Sequence, residues 1–313
     1  MQGLELARSY YYECGEPMLK EQFPDLFPLL ATGLIGSGSE CFGYDDDLSK
    51  DHDFEPGFCI FLPDESIIDR KQEFALERAY SKLPKSYKGW DRLRIQPVGG
   101  PRHGAIRLSD FVSSRLGKPD PELSPTEWLS LPEQSLAELT NGEIFHDGPG
   151  SVTALRQKLA FFPEDVRLKK LAGHLLLMAQ SGQYNYMRCI GHHETGASQL
   201  ALFEFVQSTL HVIFLLNKTY MPYYKWSFRA LRDLKTLSDM APILELLIVS
   251  DNSPSQVEEK SSLIEMIASD IITELQNQHL TDAVCMDLEK HAYSVHDRIS
   301  DSYLRNLHIL SAV

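Results

Sequence analysis

Cysteines are few in this sequence, and none is arranged as a metal or disulfide pattern. The five residues are odd in number, widely spaced and never in a CxxC pair: Cys14, Cys41, Cys59, Cys189 and Cys285. Structural zinc sites and small disulfide-stabilised secreted domains both need recurring, suitably spaced cysteines. The pattern therefore favours neither, and we expect a protein of the reducing cytoplasm.

Long hydrophobic runs are also missing. The first residues, MQGLELARSYYYEC, lack a basic stretch followed by an apolar one, so we expect no signal peptide. The strongest apolar runs, such as HVIFLL over residues 211–216, are far shorter than the roughly 20 residues that span a bilayer. We therefore expect no membrane partner.

Basic residues are under-represented, with 30 Lys and Arg against 44 Asp and Glu and a formal net charge of −14. This balance repels the phosphates of nucleic acid unless a local basic patch exists, so a nucleic-acid partner is disfavoured. The charge is compatible with small or cationic substrates, and an acidic, soluble cytoplasmic protein without any such ligand explains it equally well. The length of 313 residues allows one large or two medium domains.

The pattern of the chain changes near residue 148. Before it, we predict a helix, a buried strand, a second strand interrupted at Pro56-Gly57, a second helix and two short strands, over residues 4–22, 29–35, 52–62, 65–83, 92–98 and 105–108. After it, helical periodicity dominates over residues 151–162, 164–187, 197–217, 226–237, 258–278 and 283–309. We therefore predict an α+β chain with a mixed α/β domain over 1–148 and an all-helical domain over 149–313.

The segment most informative about chemistry is GSGSECFGYDDDLSKDHDFEPGFC, which begins at residue 36. Gly38 and Ser39 follow a predicted buried strand, and Asp51 and Asp53 begin the next one. Because side chains alternate along a strand, the two aspartates would lie on one face. Paired carboxylates can hold Mg²⁺, which bridges triphosphate oxygens and stabilises in-line displacement at phosphorus. The glycines let the backbone approach the phosphates, and Ser39 can donate a hydrogen bond to them.

Each part of this segment is common by itself. Glycine-rich turns usually serve backbone geometry alone, and DxD triplets are often solvated loop residues. The conjunction of strand, Gly-Ser pair, fixed gap and alternating aspartates is what predicts a site for Mg²⁺ and a nucleoside triphosphate.

The same segment resembles the signature of the DNA polymerase β-type nucleotidyltransferase superfamily, a Gly-Ser pair followed about a dozen residues later by DxD. More closely, the chain is similar to the bacterial family DUF4037, and the likeness extends to YNYMRC over residues 184–189 and LLNKTYMPYYKW over residues 215–226. The chain resembles aminoglycoside adenylyltransferases more distantly, and these have a catalytic α/β domain followed by a helical bundle.

The resemblance implies a nucleotidyltransferase fold over residues 1–148 followed by a helical bundle. It implies transfer of a nucleoside monophosphate, which we expect to be AMP from ATP, to a hydroxyl-bearing small-molecule acceptor. It also implies two Mg²⁺ ions, with Asp51 and Asp53 as metal ligands and catalytic residues.

A third carboxylate is usual in the superfamily, but the expected position in the strand GAIRL is Arg107. Asp110 lies three residues further on, and Glu55 continues the alternation after Asp53, so we consider both as catalytic replacements. A general base need not be retained if the acceptor is already nucleophilic, because positioning and metal electrostatics supply much of phosphoryl-transfer catalysis. A catalytically silent nucleotide-binding sensor or regulator is one alternative, and a transferase that modifies tRNA or protein is another.

Basic residues of the helical half are candidates for contact with the nucleotide. Lys225, Arg229 and Arg232 have the spacing i, i+4, i+7 and share one helix face, which is either a wall facing phosphates or a solvated surface. The resemblance around YKWSFR favours Lys225 and Arg229 as nucleotide-binding residues. Arg188 could reach phosphate or form a structural ion pair.

Two polar runs have simpler interpretations. The triplet from His192 to Glu194 lacks the histidine spacing of a zinc helix, so we predict a polar turn between helices, with Glu194 as a minor candidate for an acceptor-activating base. The run Asp45-Asp46-Asp47 is predicted to be a surface turn. The sequence leaves the acceptor, the preferred nucleobase and the oligomeric state open.

Overall fold

The computed structural model describes residues 2–46, 54–92 and 103–313. Its α-helices are α1 (Gly3–Tyr10), α2 (Glu16–Gln22), α3 (Ser39–Phe42), α4 (Arg70–Ser81), α5 (Leu108–Leu116), α6 (Pro125–Ser130), α7 (Glu133–Thr140), α8 (Ser151–Lys158), α9 (Glu164–Met178), α10 (Met187–Gly191), α11 (Thr195–Leu216), α12 (Tyr224–Arg232), α13 (Ala241–Val249), α14 (Pro254–Asn277), α15 (Leu288–His296) and α16 (Ser302–Asn306). Its strands are β1 (Ala31–Leu34), β2 (Cys59–Leu62), β3 (Ser86–Tyr87), β4 (Trp90–Asp91), β5 (Gly104–Arg107) and β6 (Glu143–Asp147).

Four of these strands form one mixed sheet in the order β5-β2-β1-β6, while β3 and β4 pair separately. β1 is antiparallel to both of its neighbours, and β5 is parallel to β2. The small mixed sheet among many helices confirms the predicted α+β class.

The chain forms two compact units. Unit 1 comprises Met1–Glu122 with Gln134–Ala160, and unit 2 comprises Leu123–Glu133 with Phe161–Val313. Unit 1 holds the sheet, and the described elements of unit 2 are helical. The sequence-based domain boundary at residues 148–149 stays a prediction.

The first helix of unit 1 confirms the prediction over residues 4–22 and supplies much of the core. It runs through α1, a π-helical turn over Tyr11–Gly15, and α2. Tyr11 is fully buried, and its ring packs edge-on against Phe58, with 5.2 Å between the two ring centroids. A Cβ added at Gly15 would lie 2.4 Å from the Phe58 ring, so only glycine allows this approach. The widened turn therefore lies where the helix meets an aromatic ring.

The predicted strand over residues 52–62 is wrong in its first half. β2 begins only at Cys59, and residues 54–58 are irregular, while residues 52 and 53 lie outside the described ranges. Pro56 has no N–H for a sheet hydrogen bond, and a Cβ at Gly57 would lie 2.5 Å from the His103 ring. The Pro-Gly pair therefore ends the extended pairing instead of producing a bulge inside it.

The remaining elements of unit 1 follow their sequence signals to different degrees. The helix predicted from residue 65 begins at Arg70, because Asp69 and Gln72 form a capping box there with hydrogen bonds of 2.8 and 2.9 Å. The strand predicted over 105–108 is confirmed as β5. Most of the strand predicted over 92–98 lies outside the described residues, and β6 was not predicted.

Unit 2 contains α11, a helix of 22 residues with a mean hydropathy of 1.5 in its most apolar window. Length and composition alone would let it cross a membrane, but 61% of that window is buried in the protein. This burial is consistent with a core helix of a soluble protein. The helix predicted over 164–187 is confirmed as α9 and a π-helical segment over Ala179–Tyr186, whereas the one predicted over 283–309 is divided into α15 and α16.

Two glycines of unit 1 provide a matched test of the packing around the sheet. Gly142 and Gly150 both have positive φ, so alanine costs about 1–2 kcal/mol of backbone strain at either position. An added Cβ meets nothing within 4 Å at Gly150 but lies 1.9 Å from the Leu34 carbonyl oxygen at Gly142. We expect Gly142→Ala to lower the free energy of unfolding by about 1–3 kcal/mol more than Gly150→Ala, as measured by urea denaturation. Equal losses would contradict this packing.

Candidate functional site

Four segments of unit 1 meet at one edge of the four-stranded sheet. The antiparallel register pairs Gly33 with Cys59, so β1 ends where β2 begins. The parallel register pairs Cys59 with Gly104, so β5 begins at that edge too, and β6 begins opposite Leu34. We call this edge the site edge, and among the described residues it comprises residues 35–39, 54–58 and 141–142 together with His103.

The predicted phosphate-binding turn lies at the site edge. Gly36 has φ of 134°, which is strained for any residue with a side chain. Gly38 is the N-cap of the one-turn helix α3, which Ser39 opens and which ends at Gly43 with φ of 70°. The structure thus places Gly38 and Ser39 in a tight strand-to-helix turn, and their contact with phosphate stays a prediction.

Asn141 fixes this turn through both ends of its side-chain amide. Its Nδ2 donates to the Gly36 carbonyl at 2.7 Å, and the Gly36 N–H donates to its Oδ1 at 3.0 Å. The next residue, Gly142, donates its N–H to the Cys41 carbonyl at 2.8 Å. Sequence reasoning missed Asn141, since an Asn-Gly pair signals only a turn and the contact joins residues 105 positions apart.

Arg115 brings positive charge to the same turn. Its Nη2 lies 3.4 Å from the position that a Cβ on Gly36 would take. The guanidinium carbon lies 4.5 Å from the Phe111 ring centroid, and Nε is 3.4 Å from a Glu138 carboxylate oxygen. Strand β5 runs away from the site edge, and α5 runs back towards it. Both elements are about 13 Å long, so Arg115, near the end of α5, reaches the site edge again. No local motif could indicate this residue, because its position depends on the direction of α5.

Glu55 is paired with a histidine that the sequence did not single out. Its Oε1 lies 3.0 Å from Nδ1 of His103, and the two side chains are 16% and 9% exposed. The prediction that Glu55 continues the alternation of a strand is wrong, because β2 begins four residues later. It nevertheless lies at the site edge, because His103 directly precedes β5.

Arg107 and Asp110 lie at the other end of β5 from Glu55. The Arg107 guanidinium donates to Glu73 at 2.6 Å and to the Pro63 carbonyl at 2.7 Å, and it is largely buried. Asp110 is exposed in the first turn of α5. At the end of β5 near Glu55, the residue that reaches the site edge is therefore His103. Arg107, at the opposite end of the strand, has a structural role. The structure does not bring the two candidate acids, Glu55 and Asp110, together.

The central predicted ligands, Asp51 and Asp53, lie outside the described residues. Across residues 2–46, 54–92 and 103–313, no group of three or more His, Cys, Asp and Glu side chains is placed to hold a metal ion. The two-ion Mg²⁺ site therefore stays a prediction.

One nearby aspartate corrects an expectation. Asp45 was predicted in a surface turn, but it is 8% exposed and its Oδ2 accepts the Gly3 N–H at 2.7 Å. It satisfies a free donor at the start of α1, as N-terminal acceptors do. Asp46 is exposed, and Asp47 is outside the described residues.

Cys59 is the buried thiol at the site edge. Burial raises the pKa of this thiol to about 12. Glu40 also raises the pKa, whereas Arg115 lowers it. The thiol is therefore protonated near neutral pH and is not a nucleophile.

The basic candidates of unit 2 have aromatic neighbours. Arg188 lies on α10 with its guanidinium carbon 4.9 Å from the Tyr184 ring centroid, and Lys225 Nζ lies 4.9 Å from that of Trp226. Lys225 and Arg229 are both on α12, as predicted. Their roles in nucleotide binding stay predictions.

Other predictions in unit 2 are resolved by the structure. Arg232, also on α12, pairs with Glu245. The turn predicted over His192–Glu194 is confirmed: His192 ends α10, and Glu194 is the N-cap of α11.

Comparison with known proteins gives one finding. The model of the family described as "Domain of unknown function (DUF4037)" matches residues 128–227, about a third of the chain. This match agrees with the likeness seen in YNYMRC and LLNKTYMPYYKW. No curated protein and no solved structure matches the chain.

The amide of Asn141 can be tested by a nearly isosteric change. In Asn141→Asp the acceptor for the Gly36 N–H remains, but the donor to the Gly36 carbonyl is replaced by an oxygen that repels it. We expect backbone amides of residues 36–42 to exchange with deuterium about tenfold faster, since one buried hydrogen bond is worth about 1 kcal/mol and the repulsion adds to its loss. The control is Asn277→Asp, whose amide donates to Glu274 on an exposed helix face. Unchanged exchange over 36–42 would show that Asn141 does not hold the turn.

Proposed function

We propose that this chain, a member of the DUF4037 family through residues 128–227, is a magnesium-dependent nucleotidyltransferase. In this proposal it transfers a nucleoside monophosphate, AMP from ATP, to a hydroxyl-bearing small molecule in the cytoplasm. Asp51 and Asp53 hold the metal, and unit 1 carries the triphosphate.

The observation that carries the proposal is the composition of the site edge. The Gly36–Ser39 turn ends β1 beside the beginning of β2, and the sequence places Asp51 and Asp53 a few residues before β2. A glycine turn and a pair of acids close to it are the two parts that a metal–triphosphate site needs.

Arg115 strengthens the electrostatic case. The chain carries a net charge of −14, so a polyanionic ligand needs local compensation. The Arg115 guanidinium lies against the Gly36 backbone, and although its Nε faces Glu138 at 3.4 Å, its fork geometry suits phosphate oxygens. Phe111 beneath the guanidinium limits its movement.

Glu55 at the site edge, together with Asp51 and Asp53 close to it in sequence, offers donors that suit a magnesium–triphosphate group. Carboxylate oxygens are the preferred ligands of Mg²⁺, and Asp51, Asp53 and Glu55 all precede β2 in sequence. When bound, Mg²⁺ would neutralise charge on the phosphate oxygens during displacement. Glu55 is the better candidate for the third acid, because His103 orients it at the site edge, whereas Asp110 lies beyond the far end of β5.

Isothermal titration of ATP with and without Mg²⁺ tests the proposal on the whole protein. We expect Asp51→Asn with Asp53→Asn to remove the Mg²⁺-dependent part of the affinity, and Arg115→Gln to weaken ATP binding about tenfold through a lost charge-assisted contact. Two matched controls should bind like the native protein: Asp110→Asn, and Arg70→Gln, whose arginine is 83% exposed in its pair with Glu65.

Metal-independent ATP binding that is unchanged by the paired Asp variants would refute the metal site. If Asp110→Asn weakened Mg²⁺-dependent ATP binding as much as the paired Asp51 and Asp53 variants do, the assignment of the nucleotide site to the site edge would be wrong. Release of pyrophosphate from labelled ATP with a panel of hydroxylated acceptors then separates a transferase from a silent nucleotide sensor, which binds ATP and releases none.

A further inference from the structure

An open cavity of about 680 Å³ lies wholly within unit 2, and its volume is in the usual range of small-molecule pockets. One wall is the π-helical segment Ala179–Tyr186, and a second is α14. The third is the loop that leads into α15, with the first turn of that helix. π-Helical turns are frequent at functional sites. None of the lining residues belongs to the site edge.

Gln183 joins the three walls of this cavity. Its Nε2 donates to Oε2 of Glu265 on α14 and to the carbonyl of Met286 in the loop, each at 2.9 Å. Its Oε1 accepts the N–H of Leu288, the first residue of α15, at 3.0 Å. The shape of the cavity is therefore fixed by the protein itself, so a ligand would bind without the cost of ordering the walls.

The cavity is lined by accessible acids. Glu265, Asp287 and Glu289 are all exposed, and among the described residues that line the cavity none is basic. Glu265 uses one carboxylate oxygen for the Gln183 amide, and Asp287 uses one for the Glu289 N–H at 2.9 Å. Each of these two carboxylates therefore has a second oxygen that can accept from a ligand. The lining attracts cations and repels anions.

Two apolar side chains are exposed in the same cavity. Tyr184 is 57% exposed and Met286 is 51% exposed. Such surface favours contact with methylene groups, and an aromatic face also attracts a cation. The guanidinium carbon of Arg188, which does not line the cavity, lies 4.9 Å from the Tyr184 ring centroid. It compensates at most one of the three carboxylate charges, so the lining still favours a ligand with more than one positive charge.

The three carboxylates do not converge on one point. Among the described residues, no group of three or more His, Cys, Asp and Glu side chains is placed to hold a metal ion. A single ion therefore cannot contact all three acids, whereas an elongated molecule with separated charges can. A neutral molecule would make only the weaker hydrogen bonds that lack a charged donor.

We propose that this cavity binds an aliphatic di- or polyamine. Its ammonium groups contact the separated carboxylates of Glu265, Asp287 and Glu289, and its methylene chain packs on Met286 and Tyr184. Each ammonium group has up to three N–H donors, which suits several acceptors around each charge. The site is independent of the proposed nucleotide site and does not rest on the proposed function.

Three probes with the same eight-carbon chain separate charge from apolar contact: 1,8-diaminooctane, octylamine and 1,8-octanediol. The full protein is labelled at its methionine methyl carbons, and the Met286 signal is the one that Met286→Leu removes. We expect the diamine to shift this signal saturably at millimolar concentrations. Its affinity should be about threefold higher than that of octylamine and about tenfold higher than that of the diol, because each exposed ion pair contributes a few-fold.

Variants of α14 and α15 separate the cavity from the overall charge of the protein. Glu265→Gln with Glu289→Gln removes two negative charges and keeps an acceptor oxygen for Gln183. We expect this pair to weaken diamine binding about tenfold and to leave diol binding unchanged. The matched control is Glu258→Gln with Glu259→Gln, which removes the same charge from exposed positions of α14 outside the cavity. It should bind the diamine within about twofold of the native protein.

Three results would overturn the proposal. The first is the absence of a saturable Met286 shift at tens of millimolar diamine. The second is a diol affinity equal to that of the diamine, which would indicate an apolar groove only. The third is an equal loss in the two variant pairs, which would mean that only the net charge of the chain attracts the diamine. If the cavity variant does not fold, the three probes on the native protein still decide between these outcomes.

Discussion

Two hydrogen bonds between the Asn141 side chain and the Gly36 backbone hold the turn on which the proposed nucleotide site depends. Gly36 has a backbone conformation that glycine adopts freely and that therefore costs the most entropy to fix. Because Asn141 bonds both the N–H and the carbonyl of Gly36, it fixes the orientation of two peptide groups at once. Gly142 then joins the start of β6 to α3 through the Cys41 carbonyl. The turn is thus pre-organised by the sheet, as a site that gains affinity without ordering costs must be.

The direction of the strands explains which charged residues can act together. Glu55 and His103 precede parallel strands, so they meet; Arg115 returns to the site edge on α5. Arg107 ends β5 and Asp110 follows it, so both lie at the other end of the strand. An acidic protein thereby concentrates a guanidinium beside its glycine turn, where a phosphate group would otherwise be repelled. This arrangement is the reason why we propose that the turn binds phosphate and does not serve backbone geometry alone.

The sequence predicted local elements well and long-range neighbours poorly. The helix over residues 4–22 and the strand over 105–108 carry strong periodic signals, and both are present. Strand β2 was predicted too long, since the apolar residues around Pro56-Gly57 read as a strand although proline lacks the N–H for pairing. Strand β6 alternates Glu, Phe and Asp with other residues over only five positions, too few for its period to indicate a strand. It forms because β1 offers an unpaired edge.

The same distinction applies to the sites. Gly38, Ser39, Asp51 and Asp53 form a contiguous motif that the sequence can reveal. Asn141 and Arg115 become neighbours of the Gly36 turn, and His103 becomes a neighbour of Glu55, only through sheet order and helix direction.

The most direct measurement for the central claim is a crystal structure of the protein with Mg²⁺ and a non-hydrolysable ATP analogue. We expect the triphosphate to lie against the Gly36–Ser39 turn, the Arg115 guanidinium to be within hydrogen-bond distance of a phosphate oxygen, and the metal to be coordinated by Asp51 and Asp53. A triphosphate bound elsewhere, or bound at this turn without metal on either aspartate, would contradict it.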